Sequence, residues 1–378
     1  MWNIRYLSRI DYRTLPVLLG LMIMSLLVIS ATTCESLDRI EESFFTPFVV
    51  SQIKWYVLGV GVYLFFAAFD YQQLRKWSLL LYVVTVILLF GLFFTTPIQN
   101  VQRWYRIPGL GLTFQPSEYA KLFVVIALSS FLEKKTTVIH TSRTAWQAIL
   151  IMALPFLLIL KQPDLGTALV LFPITLVMLY FGGIRRRFIT VMSLLAMGGV
   201  FFVSLIFLGI IPHEQIKPVV TKVIKEYQYE RLNPDTYHQK ASQTALALGG
   251  GLGSGWRNSE FTGKRWLPAP HTDSVFAAFG EEFGLMGISL MLFLFFGLIY
   301  YSFQVAAVAK DRFGRLLSAG ITVYLAMHMI VNMGMMSGFL PITGVPLVLI
   351  TYGGSSILST MTALGIIQSI YSRRFMFS

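Results

Sequence analysis

Long apolar runs separated by short polar links recur from one end of the chain to the other. Ten of them approach or exceed the roughly 20 residues that a helix needs to cross a bilayer. They lie near residues 15–34, 48–69, 77–96, 116–132, 145–160, 165–182, 188–211, 273–303, 316–337 and 345–371. The pattern predicts an all-α integral membrane protein of about ten transmembrane helices. It leaves no room for a separate soluble domain, so residues 1–378 read as one polytopic domain with a single large loop, about 212–272, between the seventh and eighth spans. The first run follows Arg5, Arg9 and Arg13 as a signal peptide would. It is long, however, and "ATTCES" offers no convincing cleavage site, so it reads as an uncleaved first helix. No internal repeat stands out.

Composition agrees with the pattern: 55% of the residues are hydrophobic and 13% charged, with a mean hydropathy of +0.67. Such a chain is a poor partner for nucleic acid. Its 30 Lys and Arg against 18 Asp and Glu suggest anionic head groups or phosphates as neighbours. The cations are unevenly placed. Arg75/Lys76, Lys134/Lys135/Arg143, Arg185–Arg187, Lys310/Arg312/Arg315 and Arg373/Arg374 all fall on the side of the amino-terminal tail. The opposite short loops carry only Arg39, Lys54, Arg103, Arg106 and Lys161, and the first is acidic (Glu35, Asp38, Glu41, Glu42). The positive-inside rule then places both termini in the cytoplasm and the loop at 212–272 outside the cytoplasmic (inner) membrane. The one cysteine, Cys34, excludes an intramolecular disulfide and a cysteine-ligated metal.

Within the long loop, Ile216, Val220, Val223 and Tyr227 share a helical face among Lys217, Lys222, Lys225 and Glu226. That pattern suits a basic helix lying on a membrane surface, and equally a solvated loop helix packed on its own protein. The glycine run Gly249–Gly255, "GGGLGSG", lacks the Lys-Ser/Thr pair and strand context of a nucleotide loop. A hinge that lets backbone approach a ligand or another helix fits it better.

Ionisable groups inside a membrane are costly and normally face a bundle interior or a cavity. Here they are few: Glu118 and Lys121 on one face of span four, Lys161 and Asp164 in the link between spans five and six, Asp273, Glu281 and Glu282 at the start of span eight, and His328 in span nine. Uncharged polar residues join them, Asn332 in span nine and Ser355 and Ser356 in span ten. By the charge-derived topology this cluster belongs mostly to the outer half, which suits an outward-facing site better than a midplane transport site. Other readings stand beside it. Thr272 and Asp273 also look like a helix N-cap, Glu118 and Lys121 like a structural pair, Lys161 and Asp164 like interfacial turn residues, and the glycines of "TYGGSS" like close helix packing. At 100° per residue Ala277, Gly280, Glu281 and Gly284 share the face of Asp273, leaving room for a substrate or a neighbouring helix, while Glu282 points away.

Four stretches in this order carry a resemblance: "RWYRIPGLGLTFQPSEYAK" (103–121), "KQPDLGTA" (161–168), "GGGLGSG" with "LPAPHTDSVFAAFGEEFGLMG" (to 287), and "NMGMMSGFLPITGVPLVLITYGGSS" (332–356). Over nearly its whole length the chain resembles the SEDS family (shape, elongation, division and sporulation), and within it the elongation branch, RodA, rather than the division branch, FtsW. It departs at Ser274, where the family usually has an aromatic, and at Val348, where it usually has proline. The resemblance implies a peptidoglycan glycosyltransferase that polymerises lipid II at the outer face of the membrane during elongation. Asp273 matches the family's essential aspartate and would be the general base. Arg103, Arg106, Lys121 and Lys161 are the candidates to stabilise the departing polyprenyl pyrophosphate. Glu118 would orient Lys121 and Glu281 would support Asp273, with Asp164, His271, Thr272, Ser355 and Ser356 completing the site. The reaction needs no organic cofactor and admits a divalent cation, Mg or Mn. A class B penicillin-binding protein, the transpeptidase that crosslinks the strand, is the implied partner, on the surface of spans eight and nine. The rival reading is a lipid II flippase or a non-catalytic scaffold.

Overall fold

The structure, a computed structural model, describes residues 2–34, 43–97, 101–107, 112–207 and 235–375, with a few single positions between 210 and 233. Among the described residues, ten helices of 18 or more residues follow the ten apolar runs. They are α1 Thr14–Thr32, α2 Pro47–Ala68, α3 Gln72–Gly91, α4 Pro116–Lys134, α5 Ser142–Lys161, α6 Leu165–Gly182, α7 Arg186–Phe207, α9 Val275–Val308, α10 Arg312–Met336 and α11 Gly354–Ser372. The long loop contributes α8, Tyr237–Gly249. The basic face at 216–227, apart from Lys217, and the acidic residues at 35–42 lie outside the described residues. A short antiparallel hairpin, β1 Tyr105–Ile107 with β2 Leu112–Phe114, joins α3 to α4. Its three-residue strands are too short to show a period-two pattern in sequence.

Eight of the ten long helices are apolar enough to cross a membrane by composition. The other two, α4 and α11, are heavily buried: Glu118 and Lys121 in α4 and Ser359, Thr360, Gln368 and Ser369 in α11 are all enclosed by protein. A helix screened from lipid by its neighbours can afford polar side chains if they are paired. Gln368, for example, accepts from the Asp11 backbone N–H at 2.7 Å and donates to the Thr14 hydroxyl at 3.0 Å. The fold is therefore two-layered: α4, α10 and α11 lie inside, α11 packed along α2 and α10 along α4, α6 and α9, whereas α7 is almost wholly exposed.

Two expected spans are corrected. The tenth run does not become helical at 345. Residues 341–353 are irregular, and α11 begins at Gly354. Pro341 and Pro346 remove backbone donors, and Gly338 and Gly344 have positive φ, so no helix can propagate through them. The segment is apolar because Val345, Leu347, Val348, Leu349 and Ile350 are buried. The eighth run continues to Val308 and breaks at Gly284 (φ 59°, ψ −163°). Past the break, residues 285–308 span about 36 Å, enough to cross a bilayer unaided.

The glycine run fills that break. Ser254 and Gly255 N–H donate to the carbonyls of Glu281 and Glu282 at 2.9 and 3.0 Å, and Leu285 and Met286 N–H donate to the carbonyls of Gly250 and Gly251 at 2.9 and 3.1 Å. The groups orphaned by the interrupted helix are thus satisfied by the loop. A Cβ added at Gly249 or Gly253 would collide with the carbonyl oxygen of Gly280 or Glu282. These glycines serve the approach of backbone to another helix. Of the small face, Gly280 receives Leu246 of α8 and Gly284 receives this loop.

Candidate functional site

A cavity of about 670 Å³ opens where the α3–α4 hairpin, the α5–α6 link, the turn before α9 and the segment 341–356 converge. Asp273 sits on its lining together with Arg103, Glu118, Asp164, His271, Thr272, Ser355 and Ser356. Residues more than 250 positions apart in sequence thus share one chamber whose volume falls within the range of ligand sites.

The turn carrying Asp273 is held by backbone. Thr272 and Ser274 N–H both donate to the Ala269 carbonyl at 3.1 Å. The N-cap residue of α9 is Ser274, which makes no side-chain capping bond, so Asp273 is not the cap that the sequence also allowed. Asn332 Nδ2 donates to the Asp273 carbonyl at 3.2 Å and to the Val345 carbonyl at 2.8 Å, fastening the turn to the irregular segment. Tyr352 N–H donates to the His271 carbonyl at 3.0 Å. Gly344 faces the carboxylate: a Cβ there would lie 3.5 Å from Asp273 Oδ2. The His271 ring leans on Phe48 at 5.0 Å between centroids, and burial pushes its imidazole pKa down, which favours the neutral form.

Beneath the cavity lies a charged chain. Lys121 Nζ donates to Glu118 Oε1 at 2.8 Å and lies 2.7 Å from His328 Nε2. His328 Nδ1 is 3.1 Å from the Pro346 carbonyl. A carbonyl can only accept, so Nδ1 carries the proton and Nε2 accepts from the ammonium. Lys121 is fully buried. It acts on the cavity through Glu118, whose Oε2 is buried with no hydrogen-bond partner among the described residues. The pairing of Glu118 with Lys121 read from their spacing is present, and His328 extends it to the segment 341–353.

The wall is built from neutral donors around Asp164. Its Oδ1 accepts the Thr167 N–H, capping α6, while Oδ2 accepts from Ser117 at 3.2 Å and Gln115 at 3.4 Å. A Cβ on Gly166 would press into the Thr343 carbonyl, so glycine here lets α6 meet the irregular segment. Arg103 donates to the carbonyls of Gln162 and Pro163 and also borders the cavity.

Four expected site residues lie elsewhere. Arg106 is exposed on β1, and Lys161 is exposed at the end of α5; neither lines the cavity. Lys121 sits beneath it. Glu281 does not face Asp273; its carboxylate accepts from the N–H of Phe261 (2.8 Å) and Thr262 (3.0 Å) and from the Thr262 hydroxyl (2.6 Å). Glu282 likewise takes the Arg257 N–H and the Ser259 hydroxyl. Sequence reasoning missed Trp104, Gln115, Gly344 and Tyr352 on the lining. Their one signal was position inside or beside the quoted motifs.

Comparison with known proteins gives a consistent result. The model of the FtsW/RodA/SpoVE family, described as cell cycle protein, matches residues 12–375. The chain is 32% identical over 371 residues to peptidoglycan glycosyltransferase MrdB of Escherichia coli K12, covering 98% of this chain and 95% of that one. It is 29% identical over 392 residues to the probable peptidoglycan glycosyltransferase FtsW of Geobacter sulfurreducens, covering 98% and 97%. Its fold is similar to the crystal structure of Thermus thermophilus RodA, with TM-score 0.68 and 24% identity over 97% of this chain and 98% of that one. It is also similar, with TM-score 0.74 and 24% identity over 97% and 98%, to a chain from a structure on the coordination of polymerization and crosslinking by a peptidoglycan synthase complex.

Proposed function

The chain belongs to the FtsW/RodA/SpoVE family of cell cycle proteins, and from that premise we propose that it is a peptidoglycan glycosyltransferase joining lipid II head groups into glycan strands. The observation that carries the reading is the cavity itself, where the Asp273 carboxylate shares a lining with Arg103 and the start of α11. Asp273 accepts the proton of the acceptor sugar's 4-hydroxyl. The oxygen attacks the anomeric carbon of the donor, and the bond to polyprenyl pyrophosphate breaks with its electron pair leaving on the pyrophosphate. One displacement inverts an α-linked donor into a β-1,4 product. A positioned base contributes about 10²- to 10⁴-fold to such a step.

Pyrophosphate is a good leaving group and asks for stabilisation rather than protonation. Two features supply it: Arg103, and the N-terminus of α11, where the cap residue Gly353 has no side chain to occupy the first-turn N–H groups of Gly354, Ser355 and Ser356. Among the described residues no group of three or more His, Cys, Asp or Glu is gathered to hold a metal; a Mg or Mn ion held mainly by pyrophosphate oxygens would need only one or two carboxylates of the lining, such as Asp273 or Asp164. Glu118 Oε2, backed by Lys121, offers an acceptor to a sugar hydroxyl or amide.

The charge asymmetry supports a cytoplasmic-membrane orientation with both termini inside and the cavity outside. A cysteine at Asp235 should then react with an impermeant reagent in intact cells; reaction only after lysis would reverse the orientation. A class B penicillin-binding protein, which crosslinks such strands, is the fitting partner, in line with the likeness to a chain of a peptidoglycan synthase complex. The exposed apolar stretch of α9 beyond Gly284, with Leu285, Met286, Leu290 and Phe293, is the surface for its membrane span.

Purified protein incubated with lipid II alone should yield a ladder of glycan chains on a gel. Translocation of lipid II across vesicles with no polymer formed would replace this reading with a flippase, and neither activity would leave a scaffold.

A further inference from the structure

At the end of the bundle opposite Asp273, a second pocket of about 490 Å³ opens between α6, α9 and α10. Asp273 precedes α9, whereas Phe303 and Ala307 lie in its last two turns. The short link after Val308 returns the chain into α10, whose first residues bring Arg312 and Arg315 to the pocket. Three residues apart, they share one helix face. Phe181, from the last turn of α6, meets Phe303 with ring centroids 6.0 Å apart, and Leu316 is buried behind them. The result is an apolar slot with two guanidinium groups.

These cations are not consumed by the fold. Arg312 donates to the Gly182 carbonyl at the end of α6, which occupies one of its N–H groups. Arg315 is exposed and forms no ion pair among the described residues. The neighbouring acid, Asp311, is turned to the Tyr71 hydroxyl at 2.6 Å and the Gly314 N–H at 3.2 Å. Cations in the first turn of a helix also oppose its macrodipole, so an anion there is favoured twice. The surrounding surface is apolar and lipid-facing, with Tyr180, Phe181, Phe303 and Val308 exposed.

We propose that this pocket binds one anionic glycerophospholipid, its phosphate on Arg312 and Arg315 and an acyl chain along Phe181, Phe303 and Leu316. Guanidinium forks match phosphate oxygens, basic pockets between membrane helices select anionic head groups, and the volume falls within the range of ligand sites. The apolar walls distinguish a lipid from a soluble anion.

The test titrates the delipidated full chain with phosphatidylglycerol or phosphatidylcholine of identical acyl chains and counts bound lipid by native mass spectrometry. One phosphatidylglycerol should bind with about tenfold preference, and Arg315→Gln should weaken it roughly fivefold. Ala307→Trp, which fills the slot from an exposed position, should abolish the preference. Arg186→Gln/Arg187→Gln, which removes exposed arginines outside the pocket, should leave it intact. Equal binding of the two lipids, an Ala307→Trp variant that binds normally, or an equal loss on removing Arg186 and Arg187 would each overturn the proposal. So would displacement of the lipid by inorganic phosphate.

Discussion

Asp273 and the pair Glu281–Glu282 lie within ten residues of one another, yet they inhabit different kinds of site. The Glu281 oxygens are filled by two backbone N–H groups and a hydroxyl from the loop. Glu282 takes a further N–H and hydroxyl from the same loop. Together they clamp the loop to the break at Gly284. Asp273 borders a cavity, and Asn332 fastens its main-chain carbonyl to the irregular segment. A buried acid saturated by the loop's own donors stabilises a fold; an acid on the wall of a chamber is placed where a ligand can meet it.

That contrast can be broken by substitution. The largest effect is expected for Asp273→Asn, a near-isosteric change that should lower polymerisation about 10²-fold or more while melting barely moves, because this residue does not cap α9. Retained synthesis would pass the base role to Glu118. Glu281→Ala should do the reverse. Leaving a buried and a part-buried N–H group and a buried hydroxyl unpaired should cost about 2–4 kcal/mol of stability, with the folded fraction keeping most of its activity. Loss of activity at unchanged melting would place Glu281 in the site after all.

A smaller effect should sharpen the comparison at the cavity floor. His328→Leu strips an acceptor from Lys121 and a donor from the Pro346 carbonyl, a loss of about 1–3 kcal/mol. His328→Gln keeps one donor and one acceptor and should recover most of it. If polymerisation follows melting in both variants, His328 is only a brace. If Leu slows the reaction beyond its effect on folding and Gln restores it, the Glu118–Lys121–His328 chain also positions the site.

The sequence by itself determined the ten helices, because burial in lipid or in a helical bundle demands long apolar runs whose backbone is satisfied internally. It also determined the motifs and the pairing of Glu118 with Lys121, since a three-residue spacing fixes neighbours on a helix. It misread the start of the tenth run because apolarity reports burial and not conformation, so residues 345–353 looked like helix. Tertiary structure alone decided which acids face the cavity. Helical spacing put Glu281 beneath Asp273, but the break at Gly284 and the loop that fills it claimed Glu281 and Glu282 through backbone hydrogen bonds that leave no pattern in side-chain identity. It decided the cations too. Whether Arg103, Arg106, Lys121 or Lys161 borders the cavity depends on how the hairpin and the α5–α6 link dock, and long-range packing of that kind is written in no local period.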